Sequence, residues 1–341
     1  MKKYFITLTL VAVCLFGVLA IFGFPSSDPE SRIVNIDEDG SVTFLCVGFD
    51  YVGSNTDSLI LLSANTNEKS LKFLQIPRDT FISGDTSNGK INSLYSSYYK
   101  ETGNHNSAMQ RLKNTVSSIL ALPVDYYFSF NLDTLSTVVD KMGGVEIDVP
   151  YDMKYMDAEQ NLDISIKKGK QVLNGKKALG FVRYRAGYVE GDIGRVDAQK
   201  IFLSALSNTV KEKISIPTAV SILKDCLSKV STDMSKEFLL SFAVKMLGEA
   251  SQYELYYMTL PGEAASDTEN GLSYYALNRA SAIDMLSTQG FDGFEKNKFD
   301  AQCRLLNNRN LTFSNIYYAP KFDYSVYTDE DIKNININIK S

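Results

Sequence analysis

Phe181–Gln199 concentrates cationic side chains in a chain that is otherwise acidic. Arg183, Arg185 and Arg195 fall inside it, out of nine arginines in 341 residues with a net charge of −5. Arg183 and Arg185 alternate with Val182 and Tyr184, so an extended backbone would send both guanidinium groups to one side. Asp192 and Gly194 read as the start of a helix on which Arg195 and Gln199, four apart, share a face. A planar fork with five donors suits a doubly charged phosphate better than a lysine ammonium does. An isolated Arg-x-Arg is more often a solvated loop, so phosphate chemistry requires further arginines and acidic metal ligands elsewhere. Gln75-Ile76-Pro77-Arg78-Asp79-Thr80 supplies one: Pro77 ends a strand and presents Arg78 at a loop, where functional residues usually sit on a rigid scaffold. Asp50 and Asp57 stand at the ends of two apolar strands. They are either turn caps or oxygen ligands for magnesium, which takes one or two carboxylates together with substrate phosphate oxygens.

Composition removes several alternatives. The single histidine, His105, leaves no His-x-x-x-His zinc pair and no Ser-His-Asp triad unless it serves one itself. Its place in Gly-Asn-His-Asn, just before a helical pattern, reads as a helix start rather than a catalytic base. The acidic balance argues against nucleic-acid binding, which goes with a basic excess. No Gly-x-x-x-x-Gly-Lys-Ser/Thr exists to hold a nucleotide. Ser-x-x-Lys occurs at Ser97–Lys100, Ser165–Lys168 and Ser221–Lys224, which shows how little that pattern means alone. Cys14, Cys46, Cys226 and Cys303 are far apart, with no Cys-x-x-Cys; Cys46 reads as a buried strand residue.

The elements that must position these residues follow a plain order. Lys2 and Lys3 precede Tyr4–Phe24, which is apolar apart from Thr7 and Thr9. About twenty such residues span a hydrocarbon core, and the lysines keep the short start in the cytoplasm. No small-residue cleavage site follows, so an uncleaved single-pass anchor is expected, with residues 25–40 a polar linker and everything beyond outside the membrane. Strands are expected at Val42–Phe49, Leu59–Ser63 and Leu71–Ile76, the last two a hairpin about Asn65–Lys69. Asn106–Leu120 and Leu132–Met142 read as helices, Val124–Phe130 and Val145–Val149 as strands, Ile164–Lys168 as a short strand and Asn174–Phe181 as a short helix. Helices are expected at Arg195–Lys213, Ile216–Val230 and Lys236–Ala250, then a strand at Tyr253–Leu260 and a final helix at Tyr275–Leu286. Beyond Gly290 the polar chain reads as a loosely packed tail. Strands alternating with helices indicate an α/β fold, a central mixed sheet covered by helices, in one domain over residues 41–262 with an extension over 263–341.

Pro77-Arg78-Asp79-Thr80, Lys90-Ile91-Asn92, Val139–Ile147 with Gly143-Gly144, Leu173-Asn174-Gly175, Val182-Arg183-Tyr184-Arg185, and Gly191-Asp192 to Arg195 together resemble the LytR-CpsA-Psr family in order and spacing, across roughly Leu45–Val210. The resemblance implies membrane-anchored extracytoplasmic enzymes of mostly Gram-positive bacteria. Such enzymes move a glycopolymer (wall teichoic acid, capsule or similar) from an undecaprenyl-pyrophosphate carrier onto peptidoglycan, using magnesium, with manganese as the alternative. It further implies that Arg78, Arg183 and Arg195, with Arg185 and Gln199 beside them, grip the pyrophosphate. Asp50 and Asp57 would hold the metal, Asp192 would order the arginines, and Asp79 or Asp192 would accept the acceptor hydroxyl's proton. Two departures from the family pattern stand out: Asn55 where an arginine usually precedes the second acidic position, and Ala198 before Gln199. A non-catalytic polyprenyl-phosphate-binding sensor of the envelope is the competing expectation.

Overall fold

The computed structural model describes residues 40–49, 56–82, 88–157, 162–184, 186–188, 230–235, 252–267, 272–306, 323–328 and 330–331, with isolated positions between 198 and 242. β1 (Ser41–Phe49) is apolar almost throughout, and all nine of its residues are buried. That is the signature of a strand at the centre of a sheet covered on both faces. β2 (Thr56–Asn65) and β3 (Ser70–Ile76) form the expected hairpin, closed by a turn in which Lys69 takes a left-handed φ of 54°. β4 (Tyr126–Asn131) lies parallel to β1, and β9 (Val230–Thr232) closes that side of the sheet. On the other side β10 (Glu254–Thr259) lies parallel to β3, and β13 (Val326–Tyr327) forms the edge. The seven-stranded order is β13-β10-β3-β2-β1-β4-β9. Since β2 is antiparallel to both β1 and β3, the carboxyl ends of β1, β3, β4 and β10 leave the sheet at one edge, where β2 begins.

Strand alternation divides the interior in two. Phe44 and Cys46 belong to one core, with Leu135, Val138 and Val139 of α3 (Leu132–Lys141) and Phe181 and Val182 of α4 (Gly175–Arg183). Leu45, Val47 and Phe49 belong to the other. Their partners there are Leu94 of α1 (Leu94–Thr102), Met109, Leu112 and Val116 of α2 (His105–Leu120), and Leu286 of α5 (Arg279–Thr288). The apolar faces of α2 and α3 are thus used for core packing. α2 is capped by the Asn104 side chain, which accepts from the Ser107 N–H at 3.0 Å. Gly143 and Gly144, at φ 80° and 96°, turn the chain out of α3 into β5 (Val145–Val149). β5 pairs with β8 (Gly169–Leu173) and β6 (Met153–Asp157) with β7 (Leu162–Ile166) as nested antiparallel pairs that lead to α4.

Three expectations need correction. Tyr275–Leu277 is not helical: Leu272–Leu277 is β12, paired with β11 (Gly262–Asp267), and α5 starts only after Asn278, whose side chain caps it. Val230 opens β9 rather than ending a helix. The described part of the chain past Gly290 is no loose tail, because α6 (Lys296–Leu306) buries Phe299 completely and β13 extends the sheet. Positions 201–202, 204–206 and 208–209 are helical as expected, and Phe238 and Phe242 are too; the rest of residues 195–213, 216–229 and 236–250 lies almost wholly outside the described residues. So does Tyr4–Phe24; among the described residues no helix is long and apolar enough to cross a membrane.

Candidate active site

Arg78 stands two residues beyond β3, at the edge where the parallel strands end. Pro77 has no N–H to continue the ladder, so the chain turns there, and Thr80 folds back to bond the Pro77 carbonyl through its N–H at 2.9 Å. The resulting corner is held from two directions. The Asn92 N–H donates to the Arg78 carbonyl at 3.2 Å, and the Ile91 N–H to the Thr80 carbonyl at 3.0 Å. From the other direction the Tyr275 N–H donates to the Asp79 carbonyl at 2.8 Å, and the Phe81 N–H to the Tyr275 carbonyl at 2.9 Å. Arg78 is only 7% exposed despite its loop position. Its Nε lies 4.0 Å from Asp79 Oδ2, while Lys90 Nζ donates to Asp79 Oδ1 at 2.9 Å.

Asn92 also joins this corner to the start of β2, since Thr56 Oγ1 donates to the Asn92 carbonyl at 3.2 Å. There the pairing slips: Gly48 opposes Ser58, but Phe49 opposes Thr56, leaving Asp57 as the extra residue of a bulge. Bulges of this kind re-aim a side chain and are common beside active sites. Asp57 is therefore one residue from the segment tied to Arg78. Three buried oxygens near this edge have no hydrogen-bond partner among the described residues: Asn92 Oδ1, Ser58 Oγ and Thr134 Oγ1. Ser58 faces the penultimate residue of β1, and Thr134 is in the first turn of the helix that follows β4. Buried polar atoms are almost always paired, and the carboxyl edge of such a sheet is where ligands of α/β folds bind.

Arg183 is the last residue of α4 and 8% exposed. It is helical, which overturns the reading of Arg183 and Arg185 as alternating positions of an extended segment. The Asn174 side chain caps the helix by accepting from the Lys177 N–H at 3.0 Å, and the apolar residues Ala178, Phe181 and Val182 carry it to Arg183. A cation in the last turn also suits the helix dipole. The start of α4 is seated on α3: the Gly175 N–H donates to Asp140 Oδ1 at 2.7 Å, and a Cβ on Gly175 would lie 2.2 Å from the Ser136 carbonyl oxygen. Beyond Arg183, Tyr184 and Tyr188 meet edge to face at 5.7 Å, and Tyr151 packs on both at 5.9 and 5.8 Å. Burial pushes the Tyr151 hydroxyl far above the ordinary tyrosine value, with Tyr188 and Tyr184 adding to the shift.

His105 opens α2. Its Nδ1 is 2.9 Å from the Tyr95 hydroxyl and its Nε2 3.0 Å from Ser129 Oγ, so both ring nitrogens are taken by structure. Burial lowers its pKa. No part of this arrangement offers the ring to a substrate, in keeping with its reading as a helix-start residue. Cys46 is buried in β1 as expected, and burial pushes its thiol well above the ordinary range.

Arg78, Asp79 and Asp57 are thus gathered at one corner of the sheet, and Arg183 ends the helix that packs on α3. Asp50, Arg185, Asp192, Arg195 and Gln199, and the side chain of Asp57, lie outside what the structure describes. Among the described residues no three acidic, cysteine or histidine side chains form a metal cluster. The residue roles that sequence reasoning missed are those of Lys90, Asn92 and Thr56. The run Lys90-Ile91-Asn92 was visible, but its bonds to Asp79, Arg78 and Thr56 are made only by the fold.

The LytR_cpsA_psr family profile matches residues 25–290 of this chain, well over half of its length. The chain belongs to the LytR_cpsA_psr family. The polyisoprenyl-teichoic acid–peptidoglycan teichoic acid transferase TagV of Bacillus subtilis is 34% identical over 184 residues, which are 52% of this chain and 45% of that protein. The match thus spans under half of that relative. The polyisoprenyl-teichoic acid–peptidoglycan teichoic acid transferase TagU of Bacillus licheniformis is 26% identical over 264 residues, 76% of this chain and 80% of that one. The crystal structure of B. subtilis TagV superposes with a TM-score of 0.55 at 25% identity, covering 83% of this chain and 100% of that chain. The layered sheet described above is therefore a LytR_cpsA_psr fold. In it the Pro77-Arg78-Asp79-Thr80 and Lys90-Ile91-Asn92 segments meet at one corner.

Proposed function

We propose that this protein is a phosphotransferase that moves an anionic glycopolymer, such as teichoic acid or capsule, from a polyisoprenyl-pyrophosphate carrier onto peptidoglycan. The observation that carries the reading is the Arg78 corner: a nearly buried guanidinium, braced on both sides, at the carboxyl edge of a sheet whose relatives are named as such transferases. Arg78 and Arg183, with Arg185, Arg195 and Gln199, bind the two phosphates, and Asp192 orders the arginines. In the transfer, the oxygen of an acceptor sugar hydroxyl forms a bond to the phosphorus that bears the glycan. The bond from that phosphorus to the bridging oxygen breaks, and polyisoprenyl phosphate leaves with the electron pair. The hydroxyl proton passes to a carboxylate, Asp79 or Asp192. Such chemistry rests on positioning and on neutralising charge rather than on covalent work by the protein, which suits a site without an available histidine.

Magnesium, or manganese in its place, fits the donor set. Asp57 sits at the bulge, Asp50 follows the last residue of β1 in the chain, and β1 and β2 meet at that end. Buried oxygens without partners stand nearby, and hard cations of this kind take oxygen ligands. When bound, the ion would neutralise developing charge on the phosphate oxygens. Tyr4–Phe24 would hold the protein in the cell membrane as a single-pass anchor with the catalytic domain outside, where both lipid carrier and peptidoglycan are reached.

The test is transfer from a lipid-pyrophosphate-linked glycan to peptidoglycan fragments by the full chain in vesicles with magnesium. Wild type turns over donor, and Arg78→Ala and Arg183→Ala lower the rate by about a hundredfold or more, as loss of a charge-stabilising donor does. Asp57→Ala shifts the magnesium titration to higher concentration. A wild type that binds the lipid yet never turns over donor makes the protein a sensor of carrier lipid instead.

A further inference from the structure

The carboxylate of Asp79 is hydrogen-bonded on one side and within ion-pair range of an arginine on the other. Oδ1 accepts from Lys90 Nζ at 2.9 Å, and Oδ2 faces Arg78 Nε at 4.0 Å. Its backbone is fixed as well, through the bond from the Tyr275 N–H to its carbonyl at 2.8 Å. Lys90 is held in turn. Its N–H donates to Asn88 Oδ1 at 3.1 Å, and its Nζ lies 5.5 Å from the centre of the Tyr274 ring, whose hydroxyl donates to the Asn88 carbonyl at 2.9 Å. The side chains of Lys90 and Asp79 are 16% and 20% exposed, so solvent and salt screen the pair less than they would an exposed one. A general base must turn a lone pair to the substrate hydroxyl within about 2.6–3.2 Å. Here one oxygen is committed to an ammonium, and the other stands 4.0 Å from the Arg78 guanidinium, an ion pair without a hydrogen bond.

We propose that Lys90 is a positioning residue for the transfer reaction, fixing Asp79 so that Asp79 aims the Arg78 guanidinium, and that Asp79 is a clamp rather than the base. Of the two carboxylates considered for the proton, that leaves Asp192. The inference rests on the phosphotransferase reading for its catalytic consequence but not for its geometry. Arg78, Asp79 and Lys90 act as one unit on a pyrophosphate, so removing either support of Arg78 should have the effect of removing both.

The experiment uses the full chain in phosphatidylglycerol vesicles, with farnesyl pyrophosphate as the binding probe and the lipid-linked glycan as the transfer donor. Lys90→Ala, Asp79→Asn and the double variant should each weaken farnesyl pyrophosphate binding about tenfold, the scale of one lost charge-assisted hydrogen bond. The double should be no worse than either single, since residues in one network couple. Lys90→Arg should restore binding to within about twofold, because it keeps the charge-assisted bond to Asp79. Transfer rates should fall in parallel, with the residual activity of Asp79→Asn keeping the wild-type dependence on pH. Lys90→Gln replaces the alanine variant if thermal melting shows the latter unfolded. The idea is overturned if the double variant multiplies the two losses, or if the lysine variant binds as wild type does. It also fails if Asp79→Asn binds normally while losing turnover, which is the mark of a base. Should wild type bind the probe but transfer nothing, the enzyme reading fails, and the binding cycle still decides the clamp.

Discussion

Replacing Gly175 by alanine tests whether the seat of α4 on α3 sets the position of Arg183. The added Cβ would lie 2.2 Å from the Ser136 carbonyl oxygen, 2.4 Å from Ser136 Oγ and 2.7 Å from Asp140 Oδ2. The first of these is backbone inside a helix and cannot swing aside. Ordinary contact begins near 3.4 Å, so α4 must move off by about 1 Å, a displacement of the kind that overpacked cores absorb at about 1–3 kcal/mol. The same shift lengthens the bond from the Gly175 N–H to Asp140, now 2.7 Å. Arg183 is the last residue of this nine-residue helix, about 12 Å along its axis, and a rigid helix carries the displacement to its far end. Misplacing a reacting group by about 1 Å costs up to a hundredfold in rate. The expected result is a melting temperature lower by roughly 3–10 °C, with a transfer rate down tenfold or more even where the variant is fully folded. Gly103→Ala is the control. It has a left-handed φ of 61° and nothing within 4 Å, so it should lose about 1 kcal/mol and no activity beyond that. A Gly175→Ala protein with the stability and rate of wild type would refute the argument that this contact positions Arg183.

Phe299→Ala should destabilise the domain by about 3–5 kcal/mol, as for other fully buried aromatic side chains; a melting curve unchanged from wild type would return the region after Gly290 to the status of a tail. His105 should make stability depend on pH. Burial holds its folded-state pKa below the ordinary 6.5, so as pH falls the unfolded chain takes up the proton first. Its contribution is therefore complete above about pH 6.5 and is lost as pH drops through that value towards the folded-state pKa. Denaturant unfolding of His105→Gln should show that slope flattened as pH falls below about 6.5, and an identical slope in the two proteins would remove His105 as its source.

Elements whose neighbours in sequence are also their neighbours in the fold could be recognised before any coordinates. The unbroken apolar run of β1, the turn between β2 and β3, and the asparagine before α2 each carry a local physical cause. Two readings failed where a short pattern fits more than one period. Val182–Arg185 alternates like a strand, yet Arg183 completes a helix that Asn174 had already capped. Tyr275–Leu277 reads as a helix start, yet it pairs with β11, and the cap at Asn278 marks the true beginning. The polar chain around α6 hid a fully buried ring, Phe299, which composition averages away. At the site, Arg78 was legible because a proline set it off. The bracing of Arg78 was not, because it runs through backbone carbonyls and through Lys90, Asn92 and Tyr275, which meet only after the sheet has formed.

The support that Tyr275 gives Asp79 also constrains how the chain comes to be active during synthesis. β10 must lie down beside β3, and β12 must deliver the Tyr275 N–H, before the corner around Arg78 is complete. A nascent polypeptide therefore carries Arg78 long before its corner is braced, and the brace is complete only when Tyr275 has emerged. A premature stop or a proteolytic cut ahead of Tyr275 removes the N–H that holds the Asp79 carbonyl and leaves Arg78 braced from one direction alone.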